Sequence, residues 1–143
     1  MTILDKEHNF QVTNLEIMFE ISERAHVGLL FMSALAQAYQ AGERVSLKQV
    51  VHDTGTSLAY SEEIAALLRA ANLIDGRQGP GGGYRLMRLP SAITLEAIST
   101  ALEGAVRLVA CQNAVSETCP HEQRCRTKGV WQRLQLSIQH QLR

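Results

Sequence analysis

No stretch of this 143-residue sequence is apolar for long enough to cross a bilayer, and its opening, MTILDKEHNF, lacks the pattern of a secretory leader. Both absences place the chain in the cytoplasm, away from membrane. Cysteine is scarce, and Cys111, Cys119 and Cys125 all fall in the last third. An odd number of thiols confined to one stretch argues against a disulfide framework and for soft-metal or redox chemistry. Net charge is missing as well, since 14 Lys and Arg balance 14 Asp and Glu. Composition therefore carries only a weak footprint for nucleic acid, and motifs must carry any such claim. No nucleophile–base set and no paired acids can be placed, so the chain does not read as an enzyme.

An apolar content of 45% with 20% charged residues is ordinary globular composition, enough for one domain with a core and an appendage. The charges are unevenly spread. Residues 1–23 set Lys6 against Asp5, Glu7, Glu16, Glu20 and Glu23, whereas residues 107–143 hold six basic and two acidic side chains. Residues 1–20 are a polar, acidic extension with scattered Phe10, Val12, Leu15, Ile17 and Met18, either a frayed arm or a short extra helix.

Ser22 is a candidate N-cap with Glu23 in the first turn, and RAHVGLLFMSALAQAYQ reads as the helix behind it. Val27, Leu29, Leu30, Phe31, Met32 and Leu35 are so dense that this helix should be largely buried. Ala41-Gly42-Glu43 ends it. A shorter helix from Ser46 through His52 buries Leu47, Val50 and Val51; Gly55 breaks the chain; and Thr56 or Ser57 caps a third helix, SLAYSEEIAALLRAAN. Leu58, Ile64, Leu67 and Leu68 should face the core, while Ser57, Ala59, Tyr60 and Ser61 lie where a recognition helix meets base edges. Two short helices around a glycine turn form a helix-turn-helix.

LIDGRQGPGGGYRLMR follows as a hairpin, with Leu73-Ile74 and Tyr84-Arg85-Leu86 as strands, in the position of a wing. As a phosphate cradle it fails, lacking the Lys-Ser/Thr of a P-loop and leading into a strand. Its glycines with Pro80 make a tip whose bare backbone can lie close to a DNA groove. Arg77, Arg85 and Arg88 can reach phosphates there, or stand simply as solvated loop charges. After Pro90, a short helix turns Ile93, Leu95, Ile98 and Leu102 inward and stops at Gly104. A loop from Ala105 to Gln123 carries two thiols. The last helix, from about Cys125 to Gln141, repeats Trp131, Leu134, Ile138 and Leu142 as one stripe, suited to a dimer or to packing back on its own domain.

The expected architecture is mainly α: a winged helix-turn-helix domain with a small β-hairpin wing and a long C-terminal dimerisation helix. It divides into an extension (1–20), the winged-helix domain (21–104) and a cysteine loop with the final helix (105–143). Four blocks in order carry a resemblance over residues 22–131: HVGLLFMSALA; S-L-A-Y-S-E-E-I-x3-L-R; G-P-G-G-G-Y-R-L; and C-x7-C-x5-C-x5-W. Together they resemble the iron–sulfur-cluster regulators of the IscR, NsrR and RirA type. The resemblance implies a homodimeric repressor on double-stranded promoter DNA, acting on cluster assembly, iron uptake or nitric-oxide response. It implies DNA contacts from Ser57, Tyr60 and Glu62, and from a wing of Gln78, Gly79, Pro80, Gly81, Gly82, Gly83 and Tyr84 flanked by Arg77 and Arg85. It implies a 4Fe–4S or 2Fe–2S cluster on Cys111, Cys119 and Cys125. The chain departs from the pattern at Ser61, usually Leu; at Gln78, usually Arg; and at Lys128, where some relatives place a ligating His. These departures bear on the operator sequence and the fourth cluster ligand.

Three thiolates suit a cluster, a zinc ion or a thiol switch. Structural zinc normally takes four closed ligands with a tight Cys knuckle, while clusters tolerate wide spacing and a non-Cys donor. Arg107, Arg124, Arg126 and Lys128 would favour thiolate in either a cluster or a bare switch. A protonated Lys128 has no lone pair, so a fourth donor must come from elsewhere. Candidates are His26 and Glu23 on the first helix, then Asp5, Glu7 and His8 in the arm, His121 in the loop, or solvent. His26, flanked by apolar residues, reads on its own as a buried structural histidine, and His52 and His140 read as surface residues. A thiol- or zinc-dependent regulator or protein-interaction module is the other class the sequence admits.

Overall fold

The computed structural model describes residues 21–109 and 124–143. Helix α1 (Glu23–Tyr39) begins where Ser22 accepts the Ala25 N–H at 3.0 Å, with Glu23 complementing the positive end of the dipole. Val27, Phe31, Met32 and Leu35 form its buried stripe. Leu29 and Leu30 do not follow the expectation of burial. They flank that stripe, one on each edge, and stay exposed.

Helix α2 (Leu47–Thr54) is capped by Ser46, buries Val50 and half-buries Leu47 and Val51. Gly55, at φ +69°, closes it by donating its N–H to the Val51 carbonyl at 2.9 Å, a left-handed conformation a side chain would strain. Of the two expected caps for helix α3 (Leu58–Ala70), Ser57 serves, accepting the Tyr60 N–H at 3.2 Å. Ile64, Ala65 and Leu68 are buried and Leu67 half-buried. Leu58 corrects the expected core: it is 48% exposed, because the helix starts there, beyond the end of the core. One turn later on the same face, Ser61 is the buried residue.

Strands β1 (Ile74–Arg77) and β2 (Gly83–Leu86) pair antiparallel, Ile74 opposite Leu86 and Arg77 opposite Gly83. Leu73, expected in the first strand, precedes it, while β1 runs on to Arg77 and β2 starts one residue earlier than expected. Val45 adds a third rung beside Tyr84, its N–H and carbonyl both bonded to that residue, at 2.9 and 2.8 Å. Gly83 permits this, since a Cβ there would stand 2.7 Å from the Val45 carbonyl oxygen. After a 3-10 turn at Pro90–Ala92, helix α4 (Leu95–Glu103) starts at its cap Thr94. Ile98 and Leu102 face inward, and Ile93 is half-buried. Leu95, expected inward, is exposed because it sits at the first helical position, a turn short of the core. The Ser22 hydroxyl, donating to Glu103 at 2.6 Å, ties the start of α1 to the end of α4.

Phe31, Leu35, Ile64, Leu68, Leu73 and Ile74 fill the centre of this unit. Each such side chain contributes roughly 1.5–3 kcal/mol by leaving water. Helix α5 (Lys128–Leu142) stands apart from that core. Among the described residues it has none buried, and it meets α4, with Arg143 on Glu96 at 3.0 Å, and the segment that follows α4. It starts three residues after Cys125 rather than at it. Among the described residues, no helix is long and apolar enough to cross a membrane.

Candidate nucleic-acid interface and thiol site

The first turn of α3 offers Ser57, Leu58, Ala59 and Glu62 to solvent. Ser57 holds the Tyr60 N–H through a lone pair, which leaves its hydroxyl proton for an outside acceptor. Tyr60 is half-buried against the core. Ser61 is a correction. It has no exposed surface and bonds to Thr56, so it cannot meet a base edge. Glu63 faces α1 instead of acting as a free charge, 3.1 Å from Arg24.

The wing tip, residues 78–82, turns through a bond from the Gly82 N–H to the Gly79 carbonyl at 2.9 Å. Arg77, Gln78, Gly79, Pro80 and Gly81 are exposed, Gly82 and Gly83 half-buried. Tyr84 departs from the rest of the predicted wing set: its ring stands edge-on to Phe31, centroids 5.6 Å apart, and anchors the hairpin to α1. Arg85 is exposed and engages Asp75 through Nε at 3.3 Å, leaving its terminal amino groups for another partner. Arg88 is exposed beyond the strand.

The brace beneath the wing was absent from the sequence-based reading. Arg44, 18% exposed, donates to the Gly83 carbonyl at 2.9 Å and to the Asp75 carboxylate at 3.0 Å. That bond to Arg44, helped by the charges of Arg44 and Arg85, holds the Asp75 carboxyl below its ordinary value against partial desolvation. The signal was thin: a lone Arg-Val between two helices, too short to show periodicity.

Of the predicted cluster ligands, Cys125 lies within the described residues; Cys111, Cys119 and His121 lie outside them, as do Asp5, Glu7 and His8. Cys125 is half-buried, its sulfur 3.6 Å from the Thr127 hydroxyl. That hydroxyl first, then the Thr127 backbone, pull the thiol below its ordinary value against partial desolvation, with smaller help from the Lys128 backbone and charge. Of the four basic residues expected to favour thiolate, Lys128 contributes, but less than Thr127. A half-buried sulfur held toward thiolate at a helix start fits a soft-metal ligand. Gln135 of α5 clasps the segment entering the cysteine loop, donating to the Val106 carbonyl at 2.6 Å and accepting the Leu108 N–H at 3.2 Å. His26 corrects another expectation: like Glu23, it is exposed on α1 rather than buried. His52 and His140 are exposed as expected.

Residues 21–143 match the family Rrf2, described as an iron-dependent transcriptional regulator. Over 90 residues, 63% of this chain, the sequence is 37% identical to the HTH-type transcriptional regulator IscR of Yersinia enterocolitica. The match covers 54% of that protein, so the chain aligns with about half the length of its curated relatives. Among solved structures, IscR of T. potens superposes with a TM-score of 0.66 at 31% identity, covering 87% of this chain and 80% of that one. CymR of B. subtilis, described as the global cysteine regulator, superposes with a TM-score of 0.66 at 29% identity, covering 87% and 89%.

Proposed function

The chain belongs to the Rrf2 family of transcriptional regulators, and from that premise we propose that it binds double-stranded promoter DNA as a homodimer under the control of an iron–sulfur cluster. The observation that carries the DNA reading is the joint exposure of the α3 N-terminus and the glycine-rich wing tip on one braced body. Ser57, Tyr60 and Glu62 read base edges in the major groove, and Gln78 reads from the wing. Arg77 and the free end of Arg85 take phosphates, while Gly79, Pro80, Gly81, Gly82 and Gly83 let the tip backbone approach the groove. Tyr84 acts through the wing it anchors. Arg24 holds Glu63, which limits repulsion between α3 and DNA.

Dimerisation is assigned to α5. Val130, Trp131 and Leu134 share one side of a helix that has no buried residue among those described, and a second copy can cover them. Cys111, Cys119 and Cys125 hold the cluster. The fourth donor is Glu23 or His26, both accessible on α1, with the arm residues Asp5, Glu7 and His8, the loop residue His121 and solvent as the other sources. When bound, a cluster of this kind supplies a centre that responds to iron, cluster supply, nitric oxide or redox state. The Gln135 clasp connects the loop that carries the ligands to the dimer helix. The same thiols, with the Cys125 sulfur held toward thiolate beside the Thr127 hydroxyl, support a second reading, a thiol-controlled regulator without a cluster. Neither reading requires a membrane, and both act in the cytoplasm.

Anaerobic purification with iron and sulfide counted per chain separates the two readings. Coloured protein with stoichiometric iron and sulfide supports the cluster, whereas colourless protein with zinc or bare thiols supports the second. DNA binding is tested by titrating a promoter fragment and a scrambled duplex over a salt series. Equal affinity for both, or no salt dependence, removes the DNA assignment.

A further inference from the structure

The turn between α2 and α3 contains a chain of hydroxyls that the reading above does not use. Thr54 Oγ1 stands 2.7 Å from the Val50 carbonyl oxygen, 2.8 Å from Thr56 Oγ1, and Thr56 Oγ1 stands 3.0 Å from Ser61 Oγ. Each hydroxyl has a single proton. A carbonyl can only accept, so Thr54 gives its proton to Val50. Thr54 must then accept from Thr56, and Thr56 from Ser61. The direction of the chain is thereby set: Ser61 donates to Thr56, Thr56 to Thr54, and Thr54 to the backbone of α2.

We propose that this hydroxyl chain is the device that sets the angle of α3 for sequence discrimination, with Ser61 and Thr56 as positioning residues. Ser61 is the buried polar residue of the described chain, with 0% exposure, and its neighbours Tyr60 and Glu62 are assigned to bases. Gly55 supplies the reversal but allows a range of angles. Apolar packing of Ile64 and Leu68 likewise tolerates small rotations, because it has no direction. Hydrogen bonds at 2.7–3.0 Å are directional, and at the buried Ser61 end of this half-buried chain a broken one leaves a polar atom unpaired. The chain therefore favours one tilt of α3 over nearby alternatives. Ser61 never touches DNA; it acts through the residues on either side of it.

The inference rests on the assignment of α3 to DNA, and the test separates the two. Thr56→Val keeps the shape of the side chain and removes its hydroxyl; Ser61→Ala removes the donor; Ser61→Thr keeps a donor. For each full-length protein, affinity for a promoter fragment and for a scrambled duplex is measured at several salt concentrations, beside thermal stability. Thr56→Val and Ser61→Ala should reduce the ratio of specific to scrambled affinity by about five-fold, the equivalent of one net hydrogen bond, with the salt slope unchanged. Ser61→Thr should restore most of the ratio. An unchanged ratio in variants that merely melt earlier would overturn the proposal and leave the DNA assignment standing. Absence of discrimination in the unmodified protein would overturn the DNA assignment itself. Amide exchange without DNA decides the local part: residues 56–61 should exchange faster in Thr56→Val than the rest of α3, and uniform exchange tells against a lock at the turn.

Discussion

Arg44 and Asp75 lie 31 residues apart and meet at 3.0 Å, and the same guanidinium reaches the Gly83 carbonyl across the hairpin. One side chain thus holds both strands of the wing to the segment between α1 and α2. Replacing Arg44 with Met keeps much of the aliphatic stem and removes both bonds. Loss of the bond to Gly83 alone should cost about 1 kcal/mol, a fall of several degrees in melting temperature for a domain of this size. Circular-dichroism melts measure it, and DNA affinity should fall with the loosened wing.

Asp75 makes that brace dependent on pH. Its folded value is depressed, so its contribution is fully present above the ordinary carboxyl value of about 3.9 and is lost as pH falls through the folded value. The unmodified protein and Asp75→Asn should therefore differ in stability at pH 7 and pH 5 and converge below pH ~4. Melts of both proteins across this range, at low and high salt, check the sign. A difference that persists unchanged at the lowest pH points to packing instead of charge.

On DNA, the two kinds of contact should separate. Gln78→Ala and Tyr60→Phe should relax sequence preference with little change in salt dependence. Arg85→Ala and Arg77→Ala should weaken binding to every sequence and flatten the salt slope by about one unit each if each meets one phosphate. Equal losses on every sequence from all four variants would remove the division of labour.

The exposed stripe of α5 gives a direct test of assembly. Leu134→Asp places a charge beside Trp131 and Val130, where a second copy is expected to bury them. The dimer constant measured by sedimentation should weaken by at least ~30-fold, the scale of a single interface hot spot of about 2 kcal/mol. The winged-helix unit, whose core excludes α5, should keep its melting temperature.

Cluster binding is read from broad visible absorption in anaerobic protein, which Cys119→Ser should abolish. Retention under an iron chelator then addresses the fourth donor. His26→Ala or Glu23→Ala should speed iron loss more than removal of residues 1–17. Loss at the unmodified rate in all three leaves His121, solvent or a small thiol as the donor.

Much of this molecule follows from local chemistry that any reader of the chain can apply. Ser22, Ser46 and Ser57 announce helix starts because a hydroxyl at that spacing satisfies an orphan N–H, and Gly55 announces the turn. Leu73-Ile74 and Tyr84-Arg85-Leu86 on either side of the GPGGG cluster announce the hairpin, and the order of these elements announces the winged helix. Tertiary structure decided which faces are covered. Leu29, Leu30, Leu58 and Leu95 are as apolar as their buried neighbours, yet the described elements leave them exposed, while Ser61 is enclosed. Periodicity tells which residues share a face, not where the opposing element ends. The same limit hid Arg44, Val45 and Tyr84, whose pairings join distant segments through a single rung and a single carboxylate. Contacts of that kind leave no repeat in the sequence, because their energy depends on where the chain returns.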